Sequence, residues 1–115
     1  MTDEDAIRST VSDYFEGWFE GDAARMERAL HPGLAKRSPQ NGGLAEDTAQ
    51  TMIEATSAGV GTRHPPAKRG IEIDVTDVHG GIATAVVHSE IYREYLHLAR
   101  TEDGWKIVNA LWDRA

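Results

Sequence analysis

Residues 59–70 read Gly-Val-Gly-Thr-Arg-His-Pro-Pro-Ala-Lys-Arg-Gly, and the apolar residues follow different periods on the two sides of this stretch. The adjacent prolines remove backbone donors and the glycines before them loosen the chain, so neither a helix nor a strand can run through it. Before it, Ile7, Val11, Tyr14, Phe15, Trp18 and Phe19 fall at spacings of four, three, one, three and one, which places them on one face of a helix. After it, Ile71, Ile73 and Val75 alternate with Glu72, Asp74 and Thr76, the period of a half-buried strand. A chain of 115 residues is enough for one compact domain and too short for two ordinary ones, so residues 1–115 are expected to share one core. Helices first and strands afterwards make it an α+β domain.

Local signals mark the elements. Thr2 caps the first helix, and Asp5, three residues on, completes a capping box. Gly21 ends that helix, and Asp22 caps a short second one with Met26, Ala29 and Leu30 on one side. His31-Pro32 closes it, and the chain to Gly43 reads as a loop bearing Pro and Gly. A third helix is expected from about Ala45 to Ala58, with Ala49, Met52, Ile53 and Thr56 inward. Beyond the break, His79-Gly80-Gly81 signals a hairpin into a run from Ile82 to Ile91, and further strands follow at Glu94 to Arg100 and Trp105 to Trp112. The expected architecture is three N-terminal helices packed on a curved four-stranded antiparallel sheet.

The last two strands read as apolar on both faces. Leu96 and Leu98 oppose Tyr95 and Ala99, and by simple alternation Trp105, Ile107 and Leu111 oppose Val108, Ala110 and Trp112. Helices can cover one face only, so a homodimer built on the other face is expected, the alternative being that loops of the same chain wrap it.

Charge and composition exclude several classes of function. The net charge of −7 has the wrong sign for neutralising phosphates, so no nucleic-acid partner is expected. The absence of cysteine removes thiol nucleophiles, disulfides and cysteine-ligated metals. The acidic Met-Thr-Asp-Glu-Asp start is unlike a signal peptide and no apolar run could span a bilayer, which leads to the expectation of a soluble cytoplasmic protein without membrane partners. The five histidines show no metal-binding spacing and no Gly-rich nucleotide motif occurs in a strand-to-helix context, so neither a metal nor a cofactor is expected. Within the acidic chain, residues 31–69 carry a net +2. That is either a solvated face or a place where an anionic ligand is steered.

Leu30-His31-Pro32, Leu34-Ala35-Lys36-Arg37, Glu94-Tyr95-Leu96-His97-Leu98 and the run from Trp105 to Trp112, set in this order of helices and strands, resemble the nuclear-transport-factor-two-like superfamily of cone-shaped α+β domains. That superfamily includes ketosteroid isomerases and SnoaL-like polyketide cyclases. Within it the resemblance is nearest to a group of bacterial domains named for lumazine binding. The resemblance implies a pocket between the helices and the concave face of the sheet, and dimerisation through the sheet. It implies no reaction, because the fold carries enzymes and plain binders alike.

Eight residues are pocket candidates for a ligand: Tyr14, Trp18, His31, Lys36, Arg37, Met52, His97 and Asn109. Tyr14 stands where the resemblance would put the oxyanion-hole tyrosine of an isomerase, or it is a core tyrosine. By the same resemblance Ser38 occupies the position of the isomerase base, and a hydroxyl cannot abstract the proton. The second acid of such a site would fall near His97. His31, Lys36 and Arg37 could jointly meet an anion, or be a helix end and two solvated charges. His97 and Asn109, on neighbouring strands, are pocket lining or structural hydrogen-bonding groups. Titratable groups for catalysis are sought among His31, His97 and Glu90. The leading reading is a small-molecule-binding domain with an apolar pocket for an aromatic or heterocyclic ligand. The alternatives are an isomerase- or cyclase-type enzyme moving a proton on a carbonyl compound, and an accessory assembly domain whose cone is filled.

Overall fold

The structure, a computed structural model, describes residues 2–115. Helix α1 (Asp3–Glu20) carries the capping box: the Thr2 hydroxyl accepts from the Asp5 amide at 3.1 Å, and Asp5 accepts from the Thr2 amide at 3.2 Å. It ends on Gly21 at φ +69°, a left-handed cap that a β-carbon would strain. Asp22 caps α2 (Ala23–Ala29), whose Arg25 and Arg28 clamp Asp13 of α1 at 3.0 and 2.9 Å. The expected third helix is shorter than its pattern suggested. It runs as α3 (Ala49–Ser57), capped by Thr48, with Ala49, Met52 and Thr56 buried and Ile53 half-buried.

The segment read as loop is instead a hairpin. Strands β1 (Leu30–Gln40) and β2 (Gly43–Asp47) pair antiparallel around Asn41 and Gly42, both at positive φ. Three features concealed β1. Pro32 and Gly33 lie where its pairing with the last strand shifts register, Pro39 sits near its end, and its inward positions are Leu34, Lys36 and Ser38, so the period of 2 is carried by a lysine and a serine. Residues 45–47, expected as the first turn of α3, belong to β2.

After two short 3-10 turns come β3 (Ile71–His79), β4 (Ile82–Ser89), β5 (Tyr92–Thr101) and β6 (Gly104–Arg114), paired antiparallel in sequence order as expected. The hairpin adds two strands to them. The sheet therefore has six strands in the order β2-β1-β6-β5-β4-β3, and it is mixed, since β1 runs parallel to β6. A bulge at Val108 resets the alternation of β6. Trp105, Ile107 and Ala110 are buried, Trp112 turns inward, and Leu111 faces out opposite Tyr95, where unbroken alternation had put Leu111 with Trp105 and Trp112 on the far face.

Helix α1 lies across the inner face. Its Ile7, Val11 and Phe15 are buried, each contributing roughly 1.5–3 kcal/mol relative to exposure. The Thr10 hydroxyl donates to the Trp105 carbonyl at 3.0 Å, and the Arg8 guanidinium donates to the Ile73 carbonyl at 2.7 Å. One core cluster joins α1, α2 and α3 to β1, β4, β5 and β6. Among the described residues no helix is long and apolar enough to cross a membrane.

Candidate functional site

The sheet register assembles the site. Lys36 on β1 stands opposite Asp47 on β2 and Ala110 on β6, and Glu94 on β5 stands opposite Trp112 on β6. Residues opposite one another share a face. Lys36, Asp47, Glu94 and Trp112 thus come together on the concave side, where α1 supplies Tyr14, Phe15 and Trp18, α3 supplies Met52 and β5 supplies Tyr92. Between them lies a cavity of about 80 Å³.

The floor of the cavity is polar and deeply buried: Tyr14, Glu94 and Lys36 are 2, 3 and 6% exposed. Charged side chains are almost never buried this far unless paired. Here the Tyr14 hydroxyl donates to Glu94 Oε1 at 2.9 Å and accepts a hydrogen bond from Lys36 Nζ, while Nζ lies 4.0 Å from Glu94 Oε1. Nζ also sits over the Tyr14 and Trp112 rings, 5.0 and 5.5 Å from their centres. Among the described residues the bond to Tyr14 is the only hydrogen bond that Nζ makes, and an ammonium carries three donors.

Burial dominates the electrostatics of the trio. It pushes the Glu94 carboxyl above the ordinary carboxylate value against the pull of Lys36, and it lowers the Lys36 ammonium against the pull of Glu94 and Asp47. The Tyr14 hydroxyl, buried and facing Glu94, is held well above its ordinary value and stays protonated.

The walls are aromatic and reach toward solvent. Trp18, Tyr92, Trp112 and Asp47 are half-buried. The Trp18 indole donates to the Tyr92 hydroxyl at 3.2 Å, and His64 Nε2 lies 3.0 Å from the same oxygen. Gly61 explains the position of Trp18, since a β-carbon there would lie 2.2 Å from the Trp18 carbonyl oxygen.

Of the eight candidates, Tyr14, Trp18, Lys36 and Met52 line this cavity and the other four do not. Arg37 follows Lys36 along the strand, so it points the opposite way and pairs with Glu46 at 2.9 Å on the surface. His31 Nδ1 accepts from the Gly33 amide at 2.9 Å, so His31, Lys36 and Arg37 do not converge on an anion. His97 and Asn109 are cross-strand partners facing away from the helices, and His97 lines a groove on the outer face with Ile82 and Val108. Glu90 is exposed in the turn between β4 and β5. The titratable groups lining the cavity are Tyr14, Lys36, Asp47, Tyr92 and Glu94, and the carboxylate that β5 brings to it is Glu94, three positions before His97. The available signal was phase. Glu94 is in phase with the buried Leu96 and Leu98, and Lys36 with the buried Leu34 and Ser38. Among the described residues no group of three His, Asp or Glu side chains could hold a metal ion.

The family model described as "Putative lumazine-binding" matches residues 2–113. In fold the chain is similar to an NTF2-like protein of unknown function from Silicibacter pomeroyi, with 18% identity and a TM-score of 0.75 over 100% of both chains. It is also similar to one from Shewanella baltica, with 18% identity and a TM-score of 0.77 over 97% of this chain and 93% of that one. A third structure, described as a "putative ketosteroid isomerase" from Shewanella frigidimarina, has 18% identity and a TM-score of 0.62 over 94% of each chain. No curated protein matches the sequence. At such identities the likeness shows the fold, an NTF2-like α+β domain with a curved, unclosed sheet.

Proposed function

The chain belongs to the family described as "Putative lumazine-binding", and from that premise and the chemistry of its cavity we propose that it binds a small, neutral, planar molecule through a carbonyl group. The observation that carries this reading is Lys36: a buried ammonium with donors to spare, on the floor of an aromatic-walled cavity. One lysine beside Glu94 and Asp47 leaves no excess positive charge there, which favours a neutral carbonyl over a carboxylate or phosphate. Size limits the part that is enclosed. An 80 Å³ cavity is about half the ~150 Å³ that accommodates benzene in an engineered protein core, so the floor takes a carbonyl head group of a few atoms. The rest of a heterocycle would stack among Trp18, Tyr92 and Trp112 at the rim.

The test is a thermal-shift and calorimetry panel of pyrimidinediones, pteridines and cyclic amides, each beside an analogue lacking the carbonyl. The reading requires at least one carbonyl compound to raise the melting temperature of the native chain and to lose tenfold or more in affinity against Lys36→Met. Equal binding to both proteins would remove its basis. The resemblance to isomerases puts their carboxylate base at position 38, and there this chain has a buried serine that accepts from Gln40 at 3.0 Å.

The outer face supports a second proposal, a homodimer. Leu44, Ile82, Tyr95 and Leu111 point away from the helices at 61, 62, 50 and 44% exposure. Leu111 and Tyr95 sit opposite each other on neighbouring strands near the middle of the sheet. A twofold pairing of this face with its own copy would bury the same apolar patch twice.

A further inference from the structure

We propose that Lys36 is a covalent anchor: its Nζ condenses with a small aldehyde or ketone seated in the cavity to form an imine. The inference rests on the carbonyl-binding reading above and adds a chemical step to it. Its basis is the geometry of the buried trio. Nζ donates to the Tyr14 oxygen, and the Tyr14 hydroxyl donates to Glu94 Oε1 at 2.9 Å, so three groups on α1, β1 and β5 form a continuous proton path pointing one way. A proton leaving Nζ for the Tyr14 oxygen, as Tyr14 passes its own to Glu94, leaves a neutral amine and a neutral carboxylic acid. The free donors of Nζ are where a carbonyl oxygen would bind, which brings the carbonyl carbon within reach of the lone pair.

Atoms and charge balance without any redox partner. The amine lone pair forms the C–N bond as the carbonyl π pair moves to oxygen, and a proton passes from nitrogen to that oxygen, giving a carbinolamine. The C–O bond then breaks as the nitrogen pair moves in. The leaving hydroxyl takes the proton stored on Glu94, delivered through Tyr14, and departs as water. A protonated imine now faces the Glu94 carboxylate, where an ammonium faced it before, and hydrolysis reverses every step.

Relative to a free lysine, burial shifts the balance toward the neutral amine. Burial lowers Lys36 and raises Glu94, opposed by the attraction between the two and by Asp47 from β2. A lysine desolvated in an apolar site is the ordinary way a protein makes an amine nucleophilic near neutral pH.

The sequence supplies internal controls, because Lys36, Lys68 and Lys106 are its only lysines. The native chain is incubated at pH 7 with acetone and sodium cyanoborohydride, and the isopropyl group is located by peptide mapping over time. The proposal requires Lys36 to be alkylated at least tenfold faster than Lys68, which is exposed, and Lys106. It also requires that rate to fall at least tenfold in Tyr14→Phe or, if that variant does not fold, in Glu94→Gln, with Lys68 unchanged. Labelling of Lys36 no faster than of Lys68 overturns the imine. Saturation-transfer NMR with acetamide, a planar neutral carbonyl compound with the same number of heavy atoms as acetone that forms no imine, separates the two readings. Contact between acetamide and the cavity without labelling of Lys36 overturns the imine alone. Neither contact nor labelling overturns both.

Discussion

The Tyr14 hydroxyl reaches Glu94 Oε1 at 2.9 Å across 80 residues of chain, and Lys36 on a third element completes the contact. A hydrogen bond buried this far joins α1 to β5 through a polar centre that apolar packing alone would not specify. The trio is therefore a cost to stability that the fold carries, and its energetics can be tested apart from any ligand.

Removing one member of a buried charge pair strands the other. Lys36→Met should cost about 3 kcal/mol in urea unfolding, while the double variant Lys36→Met, Glu94→Met should return to within about 1 kcal/mol of the native chain. The two single costs should therefore exceed the cost of the pair, a coupling that a double-mutant cycle reads directly. Additive losses would mean that the two groups do not interact in the folded state.

Stability should depend on pH in opposite senses at the two groups. Glu94 has its folded value raised, so the folded state holds more protons than the unfolded one, and stability falls as pH climbs above the ordinary value of 4.5. Lys36 has its folded value lowered, so the unfolded state holds more protons, and stability rises as pH approaches 10.5 from below. Asp13 is lowered by its bonds to Arg28 and Arg25, so its contribution is present above 3.8 and lost in acid. Denaturation curves from pH 3 to 10 should show Glu94→Gln removing the fall above 4.5, Lys36→Met removing the rise toward 10.5, and Asp13→Asn removing the loss in acid. A variant that leaves its own limb unchanged would refute the assignment for that residue.

Trp18 and Phe15 are neighbours on one helix face with different duties. Phe15 is 2% exposed and Trp18 is half-buried at the cavity rim. Phe15→Ala should cost about 3–5 kcal/mol as a core deletion, and Trp18→Ala less than about 2 kcal/mol. Any compound that binds the native chain should bind Trp18→Ala measurably more weakly.

Gly61→Ala should be as damaging as a core deletion although it adds one methyl group. The new carbon would meet the Trp18 carbonyl at 2.2 Å, which only backbone movement can relieve, at about 3 kcal/mol. The displacement should be visible as a shift in indole fluorescence, and an unchanged melting temperature would contradict the contact.

The outer face should be tested by sedimentation. At micromolar concentration the 12.6 kDa chain should run at twice its mass, and Leu111→Lys should return it to one. A native chain that runs as a monomer would sink the proposed dimer.

How far the sequence could be read depended on whether polar residues kept to the surface. The aromatic stripe of α1, the caps at Thr2, Gly21 and Asp22 and the last four strands were legible, because each rests on local rules that tertiary packing did not override. The β1–β2 hairpin was not, because Lys36 and Ser38 point inward where the pattern asks for apolar residues. The same inversion hid Glu94. Trp112 was assigned to the wrong face because a bulge at Val108 leaves no mark in the hydrophobic pattern. What was missed lies largely in the candidate site, where function and local preference pull apart.

The parallel pairing of β1 with β6 also orders events during synthesis. Of the six strands, the last to be made lies in the middle of the sheet, and the β1–β2 hairpin joins the rest of the sheet only through it. Until β6 leaves the ribosome, Lys36 has no sheet to hold it against Glu94, and the apolar stripe of α1 has no completed floor. Until then the apolar faces of α1 and α2 have no finished sheet to cover them, and only closure of β6 hides them. Truncations that stop before Trp105 should thus behave as aggregation-prone, protease-sensitive chains rather than as smaller folded domains.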